Sequence, residues 1–290
     1  MKKRISAVIF ISLFLIVPAS YSATGVKMLT NEFGARSVGM GGAFSSVPAD
    51  PYSAAYNPAA TWGVTNLKGS LGYDTHWGNS RLESGYLSFE KRSVVVTTGV
   101  QFAAVDDMQG RTGPTVDYIE FGAHDISIKA GAAFELEKNY YLGFSLGYIY
   151  EKIDTYDDAA FNFDLGLLVQ PMKNMNVGLA VTNFGSTIKI RSEAVDLPTA
   201  YRAGVSYVFG SLTSAADVVH LDGDNYFHLG GEYCMDDRFF LRAGYRLGYE
   251  TKDFSAGVGF SRKNLRIDYA FLPYKGGLSD SHLFNLTFEL

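Results

Sequence analysis

From about residue 66 onward, hydrophobic residues alternate with polar or small ones at a period of two. In 126–136 the even positions are Ile126, Ile128, Ala130, Ala132, Phe134 and Leu136, set against Ser127, Lys129, Gly131, Ala133 and Glu135. In 140–150 one face reads Tyr140, Leu142, Phe144, Leu146, Tyr148, Tyr150, and the other carries Gly143, Ser145 and Gly147. In 239–249 Phe239, Leu241, Ala243, Tyr245, Leu247 and Tyr249 oppose Phe240, Arg242, Gly244, Arg246 and Gly248. Side chains alternate between faces along a strand, whereas a helix repeats every 3.6 residues, and no stretch here has the helical period. The alternation predicts fourteen strands: 67–77, 81–91, 94–104, 125–136, 139–153, 160–170, 174–184, 199–210, 214–221, 226–235, 239–249, 253–261, 264–272 and 282–290. Most have the length a tilted strand needs to cross a hydrocarbon layer, about 9–11 residues, rather than the ~5–6 usual in soluble sheets.

The connections sort in the same sense. The three longest, 105–124, 185–198 and 273–281, follow strands three, seven and thirteen. Connections after even strands are short, as near 138 and in 171–174, 235–238 and 262–264. Outer-membrane barrels have short periplasmic turns and long external loops. The predicted fold is therefore all-β, a transmembrane antiparallel up-and-down barrel of about fourteen strands over 66–290. Tyrosines at the ends of the apolar faces fit interfacial girdles. The opposite faces carry Lys129, Glu151, Arg202, Glu232, Arg242, Arg246, Arg266 and Asp268. Mid-strand charges face hydrocarbon only at high cost, so these side chains are predicted to point into the lumen.

The region before the barrel divides in two. Residues 1–23 begin with Lys2, Lys3 and Arg4, run apolar from Ile5 to Val17, break at Pro18 and end in small residues. That is the pattern of a secretory signal peptide, with cleavage expected between Ala19 and Ala23, and its apolar run is too short to span a bilayer. Its removal takes the formal net charge from −5 to about −8, which leaves no basic patch for nucleic acid. Cys234 is the single cysteine, so no disulfide framework exists. The composition, with 19 Tyr, 21 Phe, 31 Gly and only 8 Pro, agrees with an exported β-protein.

Residues 24–65 show no regular period. They contain GARSVGMGGAF (34–44) and then DPYSAAYNPAA (50–60). A fourteen-strand barrel is too wide for its own side chains to fill. This pliable segment is predicted to fold back as a hatch in the lumen, with Val38, Met40, Phe44 and Val47 packing and the glycines allowing close approach to the wall. Arg36, the only charge in 34–44, is predicted to seek a lumen carboxylate such as Glu151, Glu232 or Asp268.

The motif formed by Gly34, Ala35, Arg36, Gly39, Met40, Gly41, Gly42, Ala43 and Phe44, followed by Asp50-Pro51 and Asn57-Pro58-Ala59, resembles the N-terminal signature of the PorV/PorQ family within the FadL-like outer-membrane superfamily. The resemblance implies a hatch inside the barrel. It further implies service to type IX secretion and exported proteins or, for FadL-like members, passage of hydrophobic small molecules such as fatty acids. A structural barrel without transport is the remaining alternative. The final residues SHLFNLTFEL resemble the insertion signal read by the barrel-assembly machinery, with Leu290 in place of the usual Phe. The expected surroundings are the lipid of a Gram-negative-type outer membrane.

No catalytic, cofactor or metal site is expected. Ser145 lies in GFSLG, but in mid-strand rather than at the strand–turn–helix junction of a nucleophile elbow. HLDGDN (220–225) lacks the terminal glutamate of a calcium loop, Tyr233 standing at that position. The acidic DTYDD (154–158) reads as a solvated loop, the five histidines have no ligand spacing, and GMGG lacks the flanking strand and helix of a nucleotide site.

Overall fold

The computed structural model describes residues 25–75, 80–111, 118–190 and 193–290. The signal-peptide reading of 1–23 lies outside them. Among the described residues, sixteen strands form: β1 (Lys68–Thr75), β2 (Ser80–Lys91), β3 (Val94–Gly110), β4 (Ile119–Glu137), β5 (Tyr140–Ile153), β6 (Tyr156–Met172), β7 (Met175–Gly185), β8 (Ile188–Ile190), β9 (Glu193–Val195), β10 (Ala200–Phe209), β11 (Leu212–Leu221), β12 (Asp224–Met235), β13 (Phe239–Leu247), β14 (Phe254–Arg262), β15 (Leu265–Leu272) and β16 (Ser281–Glu289). Fourteen of them close an antiparallel barrel, each paired with its neighbour in sequence. β8 and β9 form a separate hairpin between β7 and β10, which pair directly. The ring closes where β1 meets β16, from Lys68 opposite Glu289 to Thr75 opposite His282.

Each predicted strand is present, and the differences lie at the ends. The expected connection 105–124 is largely strand. β3 continues to Gly110 and β4 starts at Ile119, past an irregularity between Val105 and Met108. β6 likewise begins at Tyr156, so much of the expected acidic loop 154–158 is paired strand, with Asp157 opposite Lys152 and Asp158 opposite Glu151. The 185–198 connection contains the β8–β9 hairpin. The short turns close where left-handed backbone is tolerated, with Asn139 and Asn174 at φ 69° and 68°.

The alternation sets the two faces of the wall. Ile128, Phe161 and Leu241 are 50%, 56% and 52% exposed on the outside, a surface that only a hydrocarbon solvent makes favourable. Ser145, Asn162, Asp164, Asp217, His228, Arg242 and Ser255 point inward and are buried. The packed core lies inside the ring. The short helix α1 (Ala35–Gly39) lies against β13–β16, the 3₁₀ turn Pro51–Ala55 against β1–β3, and the 3₁₀ turn Pro58–Thr61 against β4–β7. A segment that touches strands all round a closed ring occupies its lumen.

Candidate functional site

Local chemistry shapes this segment. Asp50 and Asn57 each precede a proline, and each caps a 3₁₀ turn: Asp50 Oδ1 accepts from Tyr52 N at 3.0 Å, and Asn57 Oδ1 accepts from Ala59 N at 3.0 Å. Proline at the first helical position lacks only a donor that would have gone unused, and the Asp or Asn side chain satisfies the next one. Asn57 also donates from Nδ2 to Ser45 O (2.8 Å) and to Leu167 O of β6 (3.1 Å), tying both halves of the segment to the wall. Gly41 has φ 66°, and a Cβ there would lie 2.6 Å from Leu229 O of β12. Gly41 N itself lies where a side chain on Gly244 of β13 would begin. Both the left-handed backbone and the close approach require glycine.

The charged side chains gather on one part of the wall. Arg36 donates through Nε to Glu232 Oε2 (2.9 Å) and through Nη2 to Oε1 (2.7 Å), a two-pronged pairing, and through Nη1 to Asp50 Oδ2 (3.1 Å). Glu232 also accepts from Arg242 Nε at 2.7 Å. Arg242 Nη2 forms an ion pair with Asp268 at 2.8 Å, and Asp268 accepts a hydrogen bond from Arg266 Nε. Farther out, Glu32 meets the buried Arg246, whose Nε is 3.0 Å from both carboxylate oxygens, with Lys252 Nζ at 3.6 Å. Burial alone would raise the Glu32 carboxyl, but Arg246 and Lys252 outweigh it and hold the group well below the usual carboxylate range. Burial would likewise lower Arg36, and Glu232 and Asp50 instead hold it above the ordinary guanidinium value.

Hydrogen bonds to the segment's backbone complete the seating. Asp217 of β11 accepts from the backbone N–H groups of Phe44 (3.1 Å) and Ser45 (2.9 Å). Ser206 of β10 donates to Ser46 O (2.7 Å), and Ser255 of β14 to Val38 O (2.7 Å). Met40 and Phe44 are fully buried, Phe44 edge-on to Tyr56 with ring centroids 5.6 Å apart.

Of the lumen charges expected from sequence, Glu232, Arg242, Arg266 and Asp268 form one network with Arg36, and Arg246 pairs with Glu32. Lys129 stands apart, held by Asp164 and by Asn183 Oδ1 (2.8 Å). Arg202 stacks its guanidinium over Tyr56 at 5.2 Å. Glu151 is buried opposite Asp125, away from Arg36, whose second carboxylate is Asp50 of its own segment. Glu32, Asp164, Asp217 and Lys252 were missed in the linear reading. Asp164 was legible, because it falls on the inward parity between Phe163 and Leu165. Ser145 donates to Asp164 (2.5 Å) from the middle of β5. Asp222, in the calcium-like stretch, pairs with Lys27 at 3.2 Å. No group of three or more His, Cys, Asp or Glu among the described residues is arranged to hold a metal ion.

A closed ring of fourteen long antiparallel strands, apolar outside and polar within, defines an outer-membrane β-barrel. The chain belongs to the family of type IX secretion system membrane proteins PorP/SprF, whose pattern it matches over residues 53–288. That match begins after most of the N-terminal motif, so it does not carry the narrower PorV/PorQ resemblance. No curated protein matches the chain significantly. Among solved structures, the Pseudomonas putida toluene transporter TodX is 12% identical over 89% of this chain and 97% of its own, with a TM-score of 0.66. A Pseudomonas aeruginosa FadL homologue is 13% identical over 86% and 96%, with a TM-score of 0.59. At these identities the likeness is one of fold.

Proposed function

We propose that this PorP/SprF protein serves type IX secretion as a closed outer-membrane barrel that engages exported proteins or other parts of the machinery through its surfaces, with residues 24–65 acting as a hatch. The observation that carries this reading is the filled lumen. Buried ion pairs from Arg36 and Glu32, and hydrogen bonds to Phe44, Ser45 and Ser46, hold the segment across the ring. A barrel plugged in this way gives a polypeptide no aqueous route, which directs its role to binding rather than conduction. The PorV/PorQ-like motif favours handling of exported proteins at the cell surface as the specific form of that role. Export by a cleaved signal peptide, insertion by the barrel-assembly machinery and the absence of any catalytic activity belong to the same proposal.

A strain lacking the protein tests it. Cargo of the type IX system should fail to reach the cell surface, and the intact gene should restore it. Normal surface delivery in the deletion strain would remove the secretion role. The second reading is uptake of hydrophobic small molecules, favoured by the likeness in fold to TodX. In that case the same strain would deliver cargo normally and take up a monoaromatic hydrocarbon more slowly.

A further inference from the structure

The lipid-facing side of the wall carries a groove across the seam. There Ile267, Leu286, Leu71, Gly85 and Val100 stand side by side on β15, β16, β1, β2 and β3. One row farther from the turns 138–139 and 173–174, toward the outer rim, Phe284, Tyr73, Glu83 and Phe102 do the same. Both rows line a groove of about 800 Å³, which also touches the intervening Gly72, Ser84 and Asn285 of the inward face. Its depth comes from Gly85. A Cβ there would meet only Leu71 Cδ2 at 3.2 Å and Ser70 O at 4.0 Å, so a longer side chain would project into the groove.

Glu83 is the one charge in these two rows. Its carboxylate is half exposed, and Arg81 Nε, at the next outward position of β2, stands 3.7 Å from it. Arg81 is shared with Asp106 of β3, 3.1 Å from Nη1, and its guanidinium lies over the Phe102 ring at 5.9 Å. One guanidinium therefore serves two carboxylates. Glu83 lies three residues from the outer end of β2, with Tyr73 and Phe102 on either side of it, as at the boundary between hydrocarbon and head groups. A carboxylate in excess at that boundary is costly unless a cation joins it.

We propose that this groove binds a lipid of the outer leaflet whose head group carries a primary ammonium beside a phosphate. The ammonium meets Glu83 and Asp106, the phosphate meets Arg81, and an acyl chain lies along Leu71, Gly85 and Val100. The volume is that of a small-molecule site, about 300–1,000 Å³. Apolar contact alone cannot choose among lipids, because the tails of the surrounding bilayer are as apolar as the groove. The head group makes the choice. An anionic head would add negative charge where a carboxylate is already in excess, and a quaternary ammonium has no N–H to donate. A primary ammonium brings three donors, and the guanidinium has five N–H groups, more than Asp106 and Glu83 take.

Native mass spectrometry of the full chain, purified from membranes into detergent, tests this. The protein is offered phosphatidylethanolamine, phosphatidylcholine and phosphatidylglycerol with the same acyl chains. Phosphatidylethanolamine should be retained about fivefold over phosphatidylcholine, a preference of ~1 kcal/mol, and phosphatidylglycerol no better than phosphatidylcholine. Glu83→Gln should erase the preference while lipid is still retained, and Gly85→Leu should reduce retention of all three. Equal retention of the three lipids, or a preference for phosphatidylglycerol, would overturn the proposal on the unaltered chain, with no variant required to fold. A preference that survives Glu83→Gln, or undiminished retention by Gly85→Leu, would overturn it as well.

Discussion

At the scale of residues, the strongest single tie is Arg36, which two carboxylates hold in the lumen with its side chain only 18% exposed. Truncating one member of a buried pair leaves the other charge uncompensated, at about 3–5 kcal/mol. Arg36→Gln should therefore lower the unfolding free energy of the micelle-bound protein, measured in urea, by an amount in that range, and move the midpoint down with it. Glu232→Gln combined with it should cost less than the sum of the two single changes, because the second removes the stranded charge. An unchanged midpoint for Arg36→Gln would mean that the pair holds nothing. The need of a lone guanidinium for a carboxylate is legible in the sequence, and Glu232 is among the partners that need selects. Asp50 is not legible in that way. It reaches Arg36 only because Pro51 fixes the turn that it caps, which brings a carboxylate fourteen positions away beside the helix.

At the scale of elements, the strands were legible because two solvents act on the two faces. Lipid demands apolar side chains outside and the lumen accepts polar ones inside, so every membrane-crossing stretch alternates. The ends were less legible for the same reason. Beyond the bilayer, water bathes both faces, and the outer parts of β3 and β4, with Asp106, Asp107, Glu120 and His124, no longer alternate. Backbone pairing continues there without the signature that announces it. β11 alternates weakly, yet its place between β10 and β12 is fixed by ladders on both edges. The wall predicts a sharp contrast between neighbours. Leu241→Arg, facing lipid, should cost about 2–4 kcal/mol near the midplane when refolding into vesicles is measured. Ser88→Ala, facing the lumen beside Thr97, removes one neutral hydrogen bond and should cost about 1 kcal/mol. Equal losses at the two sites would reverse the assignment of faces.

At the scale of the whole molecule, the connections set the orientation. The turns 138–139 and 173–174 lie on one rim; the long connections 186–199, 248–253 and 273–280 all lie on the other, together with the short turns 154–155 and 222–223. The first rim faces the periplasm in barrels of this class. A cysteine at Ser279 should react with an impermeant maleimide on intact cells, and one at Lys173 only after the outer membrane is opened; labelling of both on intact cells would contradict this arrangement. The ring itself carries a consequence for how the protein comes to be. Its seam joins the first strand of the wall to the last, the pairing with the greatest separation along the chain, so loop closure delays it beyond the hairpins between. Until that seam forms, the wall is an open, curling sheet, and the segment 25–65 is already tethered to its first edge. What fills the lumen need never be threaded through a finished ring, because the sheet can roll up around it, as a sleeve is wrapped on a rod.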